Sequence, residues 1–205
     1  NETIAELKGW TYLVQVSAPA NKSYFVAGEK PVITVTILDN FAQGITRDTF
    51  STMNLYMHGP EDPKLTKTSV ALLRATTDRT KTPHHYIDLK KNAEVQVNGN
   101  VITYTLSEIT TEAPGSYTVT VYVARGDDLV QQMMKFADVQ IGTATVELPV
   151  TTKASCTACH EGTMSGKMYM HHVDVGPSPV GSWPLDYQPE KSCKACHNND
   201  GYAAF

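Results

Sequence analysis

Residues 113–142 read APGSYTVTVYVARGDDLVQQMMKFADVQIG. Within them YTVTVYVA alternates apolar side chains with threonine, the period of two that sends successive side chains to opposite faces of a strand. Arg125 to Asp128 bring a glycine and two aspartates together, residues that mark turns. QQMMKFADVQIG then takes up the strand pattern again. The stretch predicts two strands about a turn, and the rest of the first three-quarters of the chain repeats the theme.

Upstream, TYLVQV (residues 11–16) and PVITVTIL (31–38) are rich in β-branched and aromatic residues. In the second of these Ile33, Val35 and Ile37 fall on one face and Thr34 and Thr36 on the other, which marks a sheet with one buried face. AEVQVNGNVITYTL (93–106) sets Asn98-Gly99 between two alternating runs, predicting a tight hairpin with both central residues at positive φ. Weaker strands are predicted at MNLYMH (53–58) and SVALLR (69–74), and ATVELPV (144–150) is expected to close the series. About eight strands separated by Gly, Pro, Asn and Asp turns, without a helical period, predict a mainly β chain whose residues 1–150 form a β-sandwich. PGSYTVTVYV resembles the penultimate strand of an immunoglobulin-like domain, so an immunoglobulin-like β-sandwich is the expected form.

The chain has 205 residues, enough for one sizeable domain and a small second one. Its 17 basic and 21 acidic residues give a formal charge of -4 with no long run of either sign, so composition points to neither nucleic acid nor an anionic membrane as partner. No window approaches the ~20 consecutive apolar residues of a spanning helix. The sequence begins NETIAELKGW, without methionine, as a processed or truncated product would.

After LPVTTKAS (148–155) the strand pattern stops, and residues 151–205 become rich in Gly, Pro, His, Met and Cys. So few aliphatic side chains cannot offset an ordering cost of ~1–2 kcal/mol per residue, so this small, irregular segment needs a cofactor as its core. All four cysteines lie in it, as Cys156-Thr157-Ala158-Cys159-His160 and Cys193-Lys194-Ala195-Cys196-His197. Each fits the CxxCH attachment motif of c-type haem. Two thiols at this spacing reach both vinyl groups of one porphyrin, and the following imidazole meets the iron. The expected cofactors are therefore two covalently attached haem c groups. A single four-cysteine zinc site is disfavoured: the spacer between Cys159 and Cys193 exceeds the ~15–20 residues of simple zinc ribbons, and such a site has no use for a histidine after each pair. A thioredoxin-like motif would want a βαβ setting.

For the second axial positions the expected ligands are His171 and His172, between the two motifs. Adjacent residues of an extended chain project to opposite sides, so this pair can serve two irons, one on each side of the segment. Met164, Met168 and Met170 compete, since His/Met ligation is common in c-type cytochromes; Met168 and Met170 can instead pack on porphyrin faces. His84 and His85, in KTPHHYIDL (81–89), are expected to be solvated turn residues, and His58 structural or surface.

A β-domain followed by a CxxCH-rich segment resembles the outer-surface multihaem cytochromes of metal-respiring bacteria, the specific residues being the two CxxCH motifs and the histidine pair. The resemblance implies bis-histidine, low-potential haems packed close together, and a conduit rather than a catalyst. Two motifs stand here where that family carries about ten, so the chain would be a minimal relative, a fragment, or a subunit whose haems continue a chain when copies assemble.

Three functions compete. The expected one is an electron carrier, not an enzyme, serving redox partner proteins such as other cytochromes. The alternative is a haem enzyme or a gas or redox sensor with one open iron site, for which Arg79, Arg125 and the His84/His85 pair are the available distal groups. An adhesion module with incidental haems is the third, disfavoured because covalent attachment needs dedicated machinery. Haem is ligated to CxxCH outside the cytoplasmic membrane, so the expected location is periplasmic, cell-surface or extracellular. With all four cysteines in thioethers, none remains for disulfides.

Overall fold

The structure is a computed structural model that describes residues 9–60, 67–68, 86–126 and 131–147. In chain order the strands are β1 (Trp10–Val16), β2 (Val32–Asp39), β3 (Thr52–Gly59), β4 (Lys67–Thr68), β5 (Ile87–Asp88), β6 (Gln96–Asn98), β7 (Val101–Thr105), β8 (Gly115–Ala124) and β9 (Gln132–Ile141), with one 3-10 turn at Arg47–Thr49. They form two antiparallel sheets. The first has the order β1-β2-β7-β6; the second runs β4-β3-β8-β9, with β5 also paired to β3. The chain changes sheet between β2 and β3, returns between β5 and β6, and changes again between β7 and β8, as in an immunoglobulin-like sandwich.

The core lies between the sheets, built by the inward-facing alternate residues. Ile33, Val35 and Ile37 face it as expected, meeting Met53, Leu55 and Met57 of β3 and Tyr117, Val119, Val121 and Val123 of β8. MNLYMH is thus a central strand of the second sheet, and β8 and β9 are the two strands expected from residues 113–142, paired from Gly115↔Ile141 to Ala124↔Gln132. Tyr117, at the start of β8, donates its hydroxyl hydrogen to Ala113 O at 2.8 Å. A tyrosine bonding back to the chain just upstream of this strand is the tyrosine corner of such sandwiches.

Side chains of β1 join the two sheets along one edge. The Tyr12 hydroxyl reaches Val121 O at 2.6 Å and Met133 O at 3.0 Å. Trp10 Nε1 donates to Gln131 Oε1 at 2.7 Å, and Lys135 Nζ donates to Thr11 Oγ1 at 3.0 Å while lying 5.8 Å from the centre of the Tyr12 ring.

Two local expectations are corrected. The hairpin forms, but Asn98 pairs with Val101, so Gly99 and Asn100 are the loop residues. Gly99 takes φ 60° at the first central position, and Asn98 and Asn100 are absent from the positive-φ residues. Positive φ at the first central position alone matches a type II′ turn, which favours glycine there. ATVELPV forms no strand over its described residues 144–147. Instead this stretch is held by side chains, as described below. The strand expected at SVALLR lies outside the described residues.

Candidate functional site

The eight residues expected to hold the cofactors, Cys156, Cys159, His160, His171, His172, Cys193, Cys196 and His197, lie outside the described residues, as do Arg79, His84, His85 and the three competing methionines. The proposed domain 151–205 is likewise outside them. Among the described residues no group of three or more His, Cys, Asp or Glu comes together. His58 is buried in β3, which fits its structural reading, and Arg125 is exposed at the turn after β8. The chemistry of the CxxCH donor set, paired thiols followed by an imidazole, suits haem c.

What the described residues do show is how the chain leaves the sandwich towards those motifs. After β9 it turns back at Gly142, whose N–H donates to Phe25 O at 2.8 Å. Gln140 Nε2 donates to Thr145 O at 3.2 Å. Glu147 N donates to Ser116 Oγ at 2.8 Å, and Ser116 N reaches back to Glu147 Oε2 at 3.4 Å. Ser116 and Gln140 face each other across β8 and β9, one residue out of phase with the core-facing Tyr117 and Val139. Both therefore point away from the core, and residues 145–147 cross the outward face of the second sheet from β9 to β8. Gly115 permits the crossing: it has φ 153°, and a Cβ there would stand 2.6 Å from Pro60 Cβ and 2.9 Å from Glu147 Oε2.

This crossing gives the corner an electrostatic signature. The Tyr117 phenol is pushed up to about 12 from its usual 10.0, first by burial and then by the Glu112 and Glu147 carboxylates.

The outward face itself is unlike a solvated sheet surface. Thr118 and Thr120 of β8 are 2 % and 0 % exposed, and Tyr56 and Met134 are buried beside them. Tyr56 and Met134 form a second apolar cluster with Tyr86, Tyr122 and Phe136, separate from the core, and the Tyr56 and Tyr86 rings lie 5.8 Å apart. On the outward face of the first sheet, by contrast, Leu13 is 50 % exposed. Sequence reasoning assigned one buried face per strand and missed this second one. The signal was present in the aromatic and methionine residues at outward positions 56, 122, 134 and 136, where a solvated face would carry charge.

No protein-family model matches the chain. No curated protein matches it either. Among solved structures it is similar to MtrC from Shewanella baltica OS185, with 13% identity and a TM-score of 0.52, over 95% of this chain and 35% of that one. It also matches the outer membrane decaheme cytochrome OmcA, with 11% identity and a TM-score of 0.43, over 75% of this chain and 26% of that one. The chain thus spans well under half the length of either structure. At 13% identity the likeness to MtrC is one of fold, and it places the chain among proteins with an immunoglobulin-like β-domain of two antiparallel sheets.

Proposed function

We propose that this chain is an exported di-haem c-type cytochrome that relays single electrons between redox partner proteins at the periplasmic or outer side of the cell, alone or within an assembly of copies. The observation that carries this reading is the repeated CxxCH motif. Cys156 and Cys159 would hold one haem c with His160 as its proximal ligand; Cys193, Cys196 and His197 would hold the other. Bound haem c supplies one-electron iron chemistry. His171 and His172 would fill the remaining axial positions, closing both irons to exogenous ligands and making the protein a carrier rather than an enzyme. The fold likeness to MtrC supports the reading by supplying the expected kind of β-domain. No helix among the described residues is long and apolar enough to cross a membrane.

The test is an EPR spectrum of the oxidised protein with its visible absorption. Two low-spin bis-histidine signals are the expected result. A His/Met signal would displace His171 or His172 as a ligand. A high-spin iron would overturn the relay in favour of a haem enzyme or sensor with an open site.

A further inference from the structure

We infer that the exposed Phe41 side chain of one copy seats beside Phe25 of a second copy, in a cleft at the opposite end of the sandwich, so that the chain associates head to tail through its β-domain. The inference rests on the sandwich alone and holds whatever residues 151–205 bind.

Three observations converge. The first is presentation. Phe41 is 83 % exposed, in the short loop that follows β2. That loop is braced from within: Asp39 Oδ1 accepts from Phe41 N and Gln43 N, each at 2.8 Å, and Asp39 N donates to Gln43 O at 2.8 Å. An aromatic ring held out on a loop already fixed in one conformation loses little further freedom when it docks. The second is the cleft. Between the loop after β1 and the end of β9 lies a cleft of about 220 Å³, to which Val16, Ala18, Pro19, Phe25 and Val139 give an apolar lining. An apolar cavity of ~150 Å³ takes a benzene ring, so this one has room for the ring of a phenylalanine. Val26, next to Phe25 in the same loop, is 42 % exposed and adds to the apolar surface that loop presents.

The third is placement. Trp10 pairs with Asp39, so the Phe41 loop lies at the start of β1, whereas the cleft takes in Val16 at its end. The seven residues of β1 put roughly 20 Å between the two, so a copy cannot fill its own cleft. A projection and a hollow at opposite ends of one chain make a heterologous contact, which adds copies in a row. Charge favours the same pairing. Lys22 and Lys30 are exposed on the loop that forms the cleft and outnumber the exposed Asp138, while Asp48 is exposed on the segment that follows Phe41. The Glu29 carboxylate of the cleft loop is engaged by Ala20 N and Val26 N of its own copy. Opposite ends are thus better matched than like ends. A loop in a cleft buries less than the ~1,200 Å² of a standard interface, so the association is weak and grows with concentration.

The test is sedimentation of the full, haem-loaded chain from micromolar to near-millimolar concentration. Phe41→Ala removes the projection; Ala18→Trp and, separately, Ser23→Trp fill the cleft. All three positions are exposed, so the sandwich keeps its core. The expected result is a mean mass that climbs past a pair for the unaltered chain and stays at one copy for each variant alone. An equimolar mixture of Phe41→Ala with either cleft variant should form a pair and stop there, because each partner supplies one intact half of the contact. An unaltered chain that stays single throughout, association that survives Phe41→Ala, or a mixture that stays single, as a contact between like ends requires, would overturn the inference. Mass is read independently of the haem spin state, so a high-spin iron would sink the proposed function and leave this result standing.

Discussion

Tyr117 concentrates much of the fold's specificity in one side chain. Its ring belongs to the core, its hydroxyl closes the corner on Ala113, and Glu147 of the departing chain stands near enough to raise its pKa. Up to pH 10 folded and unfolded chains both keep the phenol protonated, and its contribution to stability is fully present. Between pH 10 and about 12 the unfolded chain releases the proton while the folded chain retains it, so stability falls as pH rises, by on the order of 2 kcal/mol across the window. Urea midpoints measured from neutral to strongly alkaline pH should show this decline. Tyr117→Phe should be less stable by about 1 kcal/mol at neutral pH, for the lost hydrogen bond, and should flatten the alkaline slope. An unchanged slope would mean that another group carries the pH dependence. Thr120 makes the complementary case: its hydroxyl is buried without a partner, so Thr120→Val should leave stability unchanged or raise it by up to about 1 kcal/mol in the same assay.

At the level of the element, the alternating strands were legible because their inward residues need only be apolar every second position, as Ile33, Val35 and Ile37 are. MNLYMH was undervalued because its outward residues, Tyr56 and His58, are buried too, which blurs the alternation that identifies a strand. ATVELPV has strand-like residues, yet 144–147 lie across the sheet rather than beside it. Its bonds to Ser116 and Gln140 depend on side chains far apart in sequence, which propensity does not register. The hairpin was located correctly and its turn misassigned by one residue, since Asn-Gly fits a type I′ loop and Gly-Asn a type II′ loop in the same four letters. The CxxCH motifs were plain from spacing alone. The broad face behind which the chain leaves was not, because a surface made from three strands exists only after they pair.

At the scale of the whole molecule, the sandwich depends on the edge where β1 of one sheet leans on β9 of the other. Tyr12 satisfies its hydroxyl on Val121 and Met133, so one side chain from the first sheet is bonded to two strands of the second, β8 and β9. Tyr12→Phe keeps the ring and removes these bonds; it should cost about 1–3 kcal/mol in chemical denaturation while leaving the circular dichroism of the native sheets unchanged. A cost near zero would show that apolar packing alone holds the edge. The way the chain departs has a mechanical meaning as well. Residues 145–147 are hooked over Gly115 and tied to Ser116, so a pull applied from the C-terminal side loads that short tether before it reaches the ten-residue ladder between β8 and β9. The few hydrogen bonds of that tether, to Ser116 and Gln140, are expected to part before the ladder does.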